Sequence, residues 1–165
     1  MKNKNYLIKL IIIVVGIVID LATKIIFANI FATPREDMTI IENFFYFTYV
    51  ENTGAAYGMF SGNTIMLAIF SIIFIIAFIV YDYYNHEKNW LYIGGFSLIV
   101  SGAIGNLIDR IFLGYVRDFV SIKLFSFVFN IADLWVTVGV ILFVVSIIYS
   151  ILKDKKVKND VGNNK

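Results

Sequence analysis

Four runs of apolar residues, each near the ~20 residues that cross a bilayer, divide the chain at roughly 6–27, 64–81, 90–108 and 129–152. Polar residues gather between these runs instead of alternating along them, which predicts transmembrane helices rather than a soluble fold. An even number of spans leaves both chain ends on one side. The segments facing the other side, 28–63 and 111–128, read differently. "NFFYFTYVENTGAAYGMF" and "YVRDFVSIKLFSFVF" are dense in aromatic and β-branched residues and alternate in places, so they predict short strands at the membrane surface. "SGNT" (Ser61 to Thr64) supplies capping residues for the second span. The expected fold is a mainly α membrane protein: a four-transmembrane-helix bundle with a small outward-facing β-rich platform. Residues 1–152 form one domain, and 153–165 are expected to be a disordered polar tail.

Composition agrees. Of the 165 residues, 59% are hydrophobic and 16% charged, with a mean hydropathy of +0.80, against about 45–50% apolar and ~25% charged in soluble domains. Lysines choose the side. Lys2, Lys4 and Lys9 flank the start of the first span, Lys88 sits in the middle loop, and Lys153, Lys155, Lys156, Lys158 and Lys165 follow the last. By the positive-inside rule these segments are cytoplasmic, whereas the outward segments hold fewer cations, chiefly Arg35, Arg117 and Lys123. The first run has a second reading as a cleaved signal peptide, since "MKNKNYLIK" resembles an n-region and "ANIFA" a small-residue cleavage site. Cleavage there would remove Asp20 and Lys24. The net charge of +2 gives no basis for nucleic-acid binding, and the absence of cysteine excludes disulfides, thiolate nucleophiles and Cys-ligated metals. The single histidine, His86, reads as a solvated loop residue.

Charge inside or beside a span is costly, at least ~2.5 kcal/mol at the bilayer centre, so such groups pair or line a wet cavity. Asp20 and Lys24 are i, i+4 on the first helix; Asn106, Asp109 and Arg110 are i, i+3, i+4 on the third; Asn130 and Asp133 are i, i+3 on the fourth. Three helices therefore present polar faces at similar depth, which implies one shared pocket opening outward. Asp20 with Lys24 reads as a structural ion pair. Asp109 with Arg110 reads equally as a helix-end clamp or a substrate contact. Ser101, Gly102, Ala103 and Gly105 permit close helix packing. Asp118 and Asp133 have no cation at helical spacing within their own segments, and Arg117, adjacent to Asp118, points the other way on a strand.

Without His or Cys, a hydrolase of this composition would use a carboxylate pair. One ionised Asp takes a proton from water while the other, protonated, polarises the carbonyl. A rival reading is a small proton-coupled transporter or channel, which predicts polar groups on both halves of the bundle; here every suspected acid lies toward one end. A third reading, a non-catalytic assembly factor, predicts that acid-to-amide changes are silent.

The blocks "DLATK" (Asp20 to Lys24), "ENTGAAYG" (Glu51 to Gly58), "SGAIGNLIDR" (Ser101 to Arg110), "VRDF" (Val116 to Phe119) and "FNIAD" (Phe129 to Asp133) occur in an order that resembles the lipoprotein signal peptidase (signal peptidase II) family along essentially the whole chain. The resemblance implies an intramembrane aspartyl endopeptidase of the bacterial cytoplasmic membrane. Such an enzyme removes signal peptides from prolipoproteins, cutting before a diacylglyceryl-modified cysteine. It implies Asp118 and Asp133 as the catalytic dyad, Asn52, Gly54, Asn106, Arg110 and Asn130 as pocket or substrate-binding residues, and Asp20, Lys24 and Asp109 as supports. No metal or organic cofactor is implied. The implied partners are lipidated prolipoproteins, membrane lipid and cyclic peptide inhibitors such as globomycin. Ser101, Arg117, Leu134 and Trp135 depart from the family's commonest residues; Arg117 stands where an aliphatic residue is frequent.

Overall fold

The computed structural model describes residues 2–31, 37–54, 60, 62–85, 89–125 and 127–162. Arg35, Ala55 to Met59, Ser61, His86, Lys88 and Lys165, which entered the sequence reading, lie outside the described residues. Among the described residues the order is α1 (Lys2–Ile30), β1 (Met38–Ile41), β2 (Phe45–Asn52), α2 (Thr64–Asn85), α3 (Trp90–Phe112), β3 (Val116–Ile122), β4 (Val128–Phe129) and α4 (Ile131–Gly162). Each helix contains a stretch long and apolar enough to cross a membrane, so the chain is a multi-pass membrane protein with four spans and a four-stranded antiparallel sheet at one end.

The helices overrun the hydrophobic runs that announced them. α2 continues through "YDYYN" and α3 through "DRIF", because hydropathy marks the lipid boundary while the backbone continues until something stops it. For α3 the stop is local: Leu113 N–H donates to Asp109 O at 2.8 Å, and Gly114 takes φ +81°, a left-handed step that favours glycine and turns the chain into β3. α4 begins two residues later than expected, because Val128 and Phe129 belong to the sheet. It also runs through the lysine-rich segment to Gly162 where a disordered tail is expected; after Gly139 no Gly or Pro occurs before that point.

α3 is the central helix, its window more buried than those of the other three. Tyr92, Phe96 and Val100 form the core with Ile13, Phe78, Ile104 and Phe143. α3 and α4 touch backbone to backbone, since a Cβ on Gly95 would lie 2.9 Å from Gly139 O and one on Gly139 2.8 Å from Ile99 N. The outer faces of α1, α2 and α4 carry exposed Ile, Leu, Val and Phe, as a bundle solvated by acyl chains requires.

Contrary to the sequence expectation, Lys9 is not a flanking charge: it and Asp82, one residue beyond the run expected to end at 81, are both buried and form an ion pair linking α1 to α2. The Lys9 ammonium also lies 5.1 Å from the Tyr92 ring centroid and 5.0 Å from that of Phe96. The end of the bundle remote from the sheet is thus not purely apolar. Its two charges neutralise each other instead of lining a path.

The sheet order is β1-β2-β3-β4. β2 pairs β3 with Phe47 opposite Val120 and Val50 opposite Asp118, so the register shifts by one residue between them. This bulge puts Thr48 and Tyr49 against Phe119 and lies beside Asp118, where it aims the strand end. Phe27 of α1 packs on Phe119 (centroids 4.3 Å) and Phe47 (4.5 Å), fixing the sheet on the bundle.

Candidate active site

Asn130, the residue between β4 and α4, organises the site. Its Oδ1 accepts the N–H of Asp133 at 3.0 Å, and its own N–H donates to Asp133 Oδ2 at 3.1 Å. This is a reciprocal capping box built from Asn and Asp, occupying two donors that the helix start leaves without intrahelical partners. A third donor, Ala132 N–H, goes to Asp20 Oδ1 at 2.8 Å. The i, i+3 spacing of Asn130 and Asp133 therefore marks a helix start as well as a shared face.

The Asn130 amide also turns toward the sheet. Nδ2 donates to Asp118 Oδ1 at 2.6 Å and to Asn106 Oδ1 at 3.1 Å. Asn106 Nδ2 in turn donates to Asp133 Oδ1 at 2.8 Å. Two amides thus connect the carboxylates of Asp118, on β3, and Asp133, in the first turn of α4. Asn52, diagonal to Asp118 on the same sheet face, donates Nδ2 to Asp118 Oδ2 at 2.8 Å. Asn52 Oδ1 accepts Gly54 N–H at 2.9 Å, and Gly54 O accepts Arg110 Nη2 at 3.4 Å. Arg110 Nε is buried without a hydrogen-bond partner among the described residues.

Beneath the amides lies an ionic layer. Lys24, fully buried, places Nζ 2.8 Å from Asp20 Oδ2, 3.5 Å from Asp109 Oδ2 and 2.9 Å from Asn106 Oδ1. Asp109 is gripped from its other side by Arg117. Gly105 leaves the room this needs: a Cβ there would sit 2.3 Å from Asp20 Oδ2.

Asp118 is 2% exposed. Burial, and secondarily the Asp133 charge, push its carboxyl up to about 7, although the hydrogen bonds from Asn52 and Asn130 and the Lys24 charge pull the other way. As pH rises through about 7, Asp118 gives up its proton.

A family model described as Signal peptidase (SPase) II matches residues 12–149. The chain is similar to the lipoprotein signal peptidase of Clostridium acetobutylicum, 41% identical over 90% of this chain and 96% of that one. It is also similar to the lipoprotein signal peptidase of Lactobacillus gasseri, 37% identical over 93% and 100%. A bacterial membrane enzyme solved by the in meso method at 2.3 Å resolution superposes with a TM-score of 0.77 at 35% identity, covering 89% of this chain and 88% of that one. The chain belongs to the signal peptidase II family.

Each position that the family resemblance singled out now has a place. Asp118, Asp133, Asn52, Asn106 and Asn130 form one hydrogen-bonded group, Arg110 and Gly54 close one side of it, and Asp20, Lys24 and Asp109 lie in the layer below. Of the departures from the common signal peptidase II pattern, Trp135 is seated by donating its indole N–H to Gly16 O at 3.2 Å, and the Leu134 side chain is exposed, so neither side chain takes part in the hydrogen-bonded group of the site. Sequence reasoning missed the grip of Arg117 on Asp109 and the Lys9–Asp82 pair. A signal existed for the second: Lys9 lies inside an apolar run, where a charge calls for a partner.

Proposed function

We propose that Asp118 and Asp133 are the catalytic dyad of an intramembrane aspartyl endopeptidase that removes signal peptides from diacylglyceryl-modified prolipoproteins, cutting before the lipidated cysteine. The observation that carries the assignment is that one residue, Asn130, hydrogen-bonds both carboxylates while capping the helix that holds one of them. In this reading the pair shares one proton near neutral pH. The ionised carboxylate takes a proton from water as the water attacks the scissile carbonyl, and the protonated carboxyl hydrogen-bonds the carbonyl oxygen. Collapse of the tetrahedral intermediate sends a proton to the leaving amine and returns the pair to its starting state. Arg110, whose buried Nε has no hydrogen-bond partner among the described residues, is suited to hold a substrate carbonyl or the developing oxyanion.

The same reading puts both chain ends in the cytoplasm and the dyad near the outer face. It is supported by Lys2 and Lys4 at the start of α1 and by Lys153, Lys155 and Lys156 late in α4; Lys9, neutralised by Asp82, drops out of that tally. The substrate's acyl chains would stay in the membrane lipid while its peptide reaches the polar end sideways between helices. A cyclic peptide inhibitor of the globomycin kind would fill the same space beside the dyad.

The test is cleavage of a purified diacylglyceryl-modified prolipoprotein, beside its unlipidated form, in detergent with a chelator present. Wild type is expected to cut only the lipidated form. Asp118→Asn and Asp133→Asn should each lose at least about 10³-fold in kcat while remaining folded. Substantial turnover by a folded variant would remove that residue from the dyad.

A further inference from the structure

Arg117 and Asp118 are neighbours on β3 and their side chains take opposite faces. Asp118 reaches the cap of α4, whereas Arg117 reaches the end of α3. There one carboxylate receives three donors from this single residue: Arg117 Nη2 lies 2.6 Å from Asp109 Oδ1, and Arg117 Nε and its backbone N–H donate to Asp109 Oδ2 at 3.2 and 3.0 Å. The forked contact fixes both orientation and distance, as a guanidinium on a carboxylate does. Asp109 is 1% exposed. Gly114 is the hinge between the two elements that this grip ties together.

Charge makes the contact consequential. Asp20, Lys24 and Asp109, all buried, and the partly buried Arg117 form a group with two negative and two positive charges. Without Arg117, Asp20 and Asp109 would compete for Lys24 alone. Lys24 already lies 3.5 Å from Asp109, so it would move toward that carboxylate and away from Asn106, the amide that binds Asp133.

We propose that Arg117 is a positioning residue for the reaction: by neutralising and gripping Asp109 it aligns the strand bearing Asp118 and leaves Lys24 free to hold Asn106 against Asp133. The inference rests on the dyad reading above. Burial opposes the Arg117 charge, but hydrogen bonds and attraction from Asp109 more than offset it and hold the guanidinium pKa above its ordinary value. The charges acting on Asp118 are Asp133 from α4 and Lys24 from α1, and Arg110 of α3 lies in the fields of Asp133 and Asp118. Around Arg117 stand Asp109 of α3, Asp20 of α1 and Tyr49 of β2, with Tyr115 and Glu51 linked to Tyr49 behind it. Removing the Arg117 cation leaves this surrounding set one unit more negative, which disfavours ionisation of the dyad.

The experiment measures kcat, KM and the pH profile for the lipidated prolipoprotein with Arg117→Val, Arg117→Lys and Asp109→Asn/Arg117→Val. Val suits a strand and tests the loss of the cation without a strand breaker. Arg117→Val is expected to lower kcat about 10-fold or more with little change in KM, and to move the alkaline limb to higher pH. Arg117→Lys should return the limb toward wild type but not the full kcat, because an ammonium cannot make the forked contact. Asp109→Asn should rescue Arg117→Val in part, since it removes the carboxylate left unpaired. Wild-type kcat and pH limb in Arg117→Val would overturn the proposal, as would a change confined to KM, or a double variant no better than the single. If Arg117→Val does not fold, the same decisions rest on the Lys and double variants. Running Asp118→Asn and Asp133→Asn alongside separates the two ideas. Dead dyad variants with an unaffected Arg117→Val sink only the positioning role, whereas active dyad variants sink the dyad itself.

Discussion

A single methyl group at Gly102 tests whether the geometry of α4's first turn governs catalysis. A Cβ there would lie 2.3 Å from Ala132 O and 2.8 Å from Val136 Cγ2. Val136 can yield by rotating, but Ala132 O is backbone. It stands more than about 1 Å inside ordinary carbon–oxygen contact, so the helix start itself must move by roughly that distance. Ala132 precedes Asp133, and its N–H is held by Asp20 at 2.8 Å, so the shift is delivered to Asp133 and to its hydrogen bond from Asn106. Misplacement of a reacting group by about 1 Å costs on the order of 10²-fold in rate, or ~2.7 kcal/mol at ~1.36 kcal/mol per decade. Stability should change less. Overpacking costs about 1–3 kcal/mol, while alanine gains ~1 kcal/mol over glycine inside a helix. Gly102→Ala is therefore expected to stay folded and lose activity. The control is Gly94→Ala, whose Cβ meets only Leu142 Cδ1 at 3.8 Å and should cleave like wild type. Steady-state cleavage with thermal unfolding measured on the same detergent preparations decides it. Gly102→Ala within about threefold of wild type in kcat/KM would refute the link between that helix start and the chemistry.

Two other expectations follow from the ionisable groups. With the Asp118 carboxyl raised to about 7, kcat/KM should fall as pH rises through that value, because the pair loses the proton that polarises the carbonyl. Asn52→Ala removes a hydrogen bond that favours ionised Asp118, so it should move this limb to higher pH, by about one unit for a bond worth ~1.4 kcal/mol; an unmoved or acid-shifted limb would contradict the assignment. At the other end of the bundle, Lys9→Met or Asp82→Asn alone should destabilise by about 3–5 kcal/mol through the charge left behind, with Lys9→Met/Asp82→Leu recovering most of it. Equal losses in the single and double variants on chemical denaturation would show that the pair is not coupled.

What the sequence disclosed follows from which constraints are local. The bilayer fixes the length of an apolar run, so four spans were readable, and helix periodicity put Asp20 with Lys24 and Asn130 with Asp133 on shared faces. Strand-rich composition announced the sheet, though not its bulge opposite Phe119, which depends on how β2 meets β3. Partners far apart in sequence were out of reach. Lys9 and Asp82 looked like the flanking charges of two apolar runs, and only the packing of α1 beside α2 makes them one pair. Arg117 looked like a departure from an aliphatic position, because nothing in "VRDF" shows that Gly114 folds the strand back onto Asp109. The helical continuation of α4 past Leu152 was hidden for the opposite reason: composition measures the polarity of a segment, and lysine-rich sequence is compatible with a helix.

The deepest link between fold and the proposed chemistry is that the polar groups around Asp118 and Asp133 also start a helix. Every hydrogen-bonding group of Asn130 is occupied. Its N–H and Oδ1 close the capping box, its amide hydrogens reach Asp118 and Asn106, and its carbonyl accepts Leu134 N–H at 3.3 Å. A fully satisfied buried amide has no alternative orientation of comparable energy, so it holds its neighbours more strictly than a packed apolar side chain would. A helix beginning at that depth must in any case find partners for its first N–H groups, and here the partners found are Asn130 and Asp20. The carboxylate of Asp133 is thereby fixed by the requirement that α4 begin where it does. Asp118 is fixed by the amide that satisfies that requirement. A change that loosens the cap is felt at both acids together.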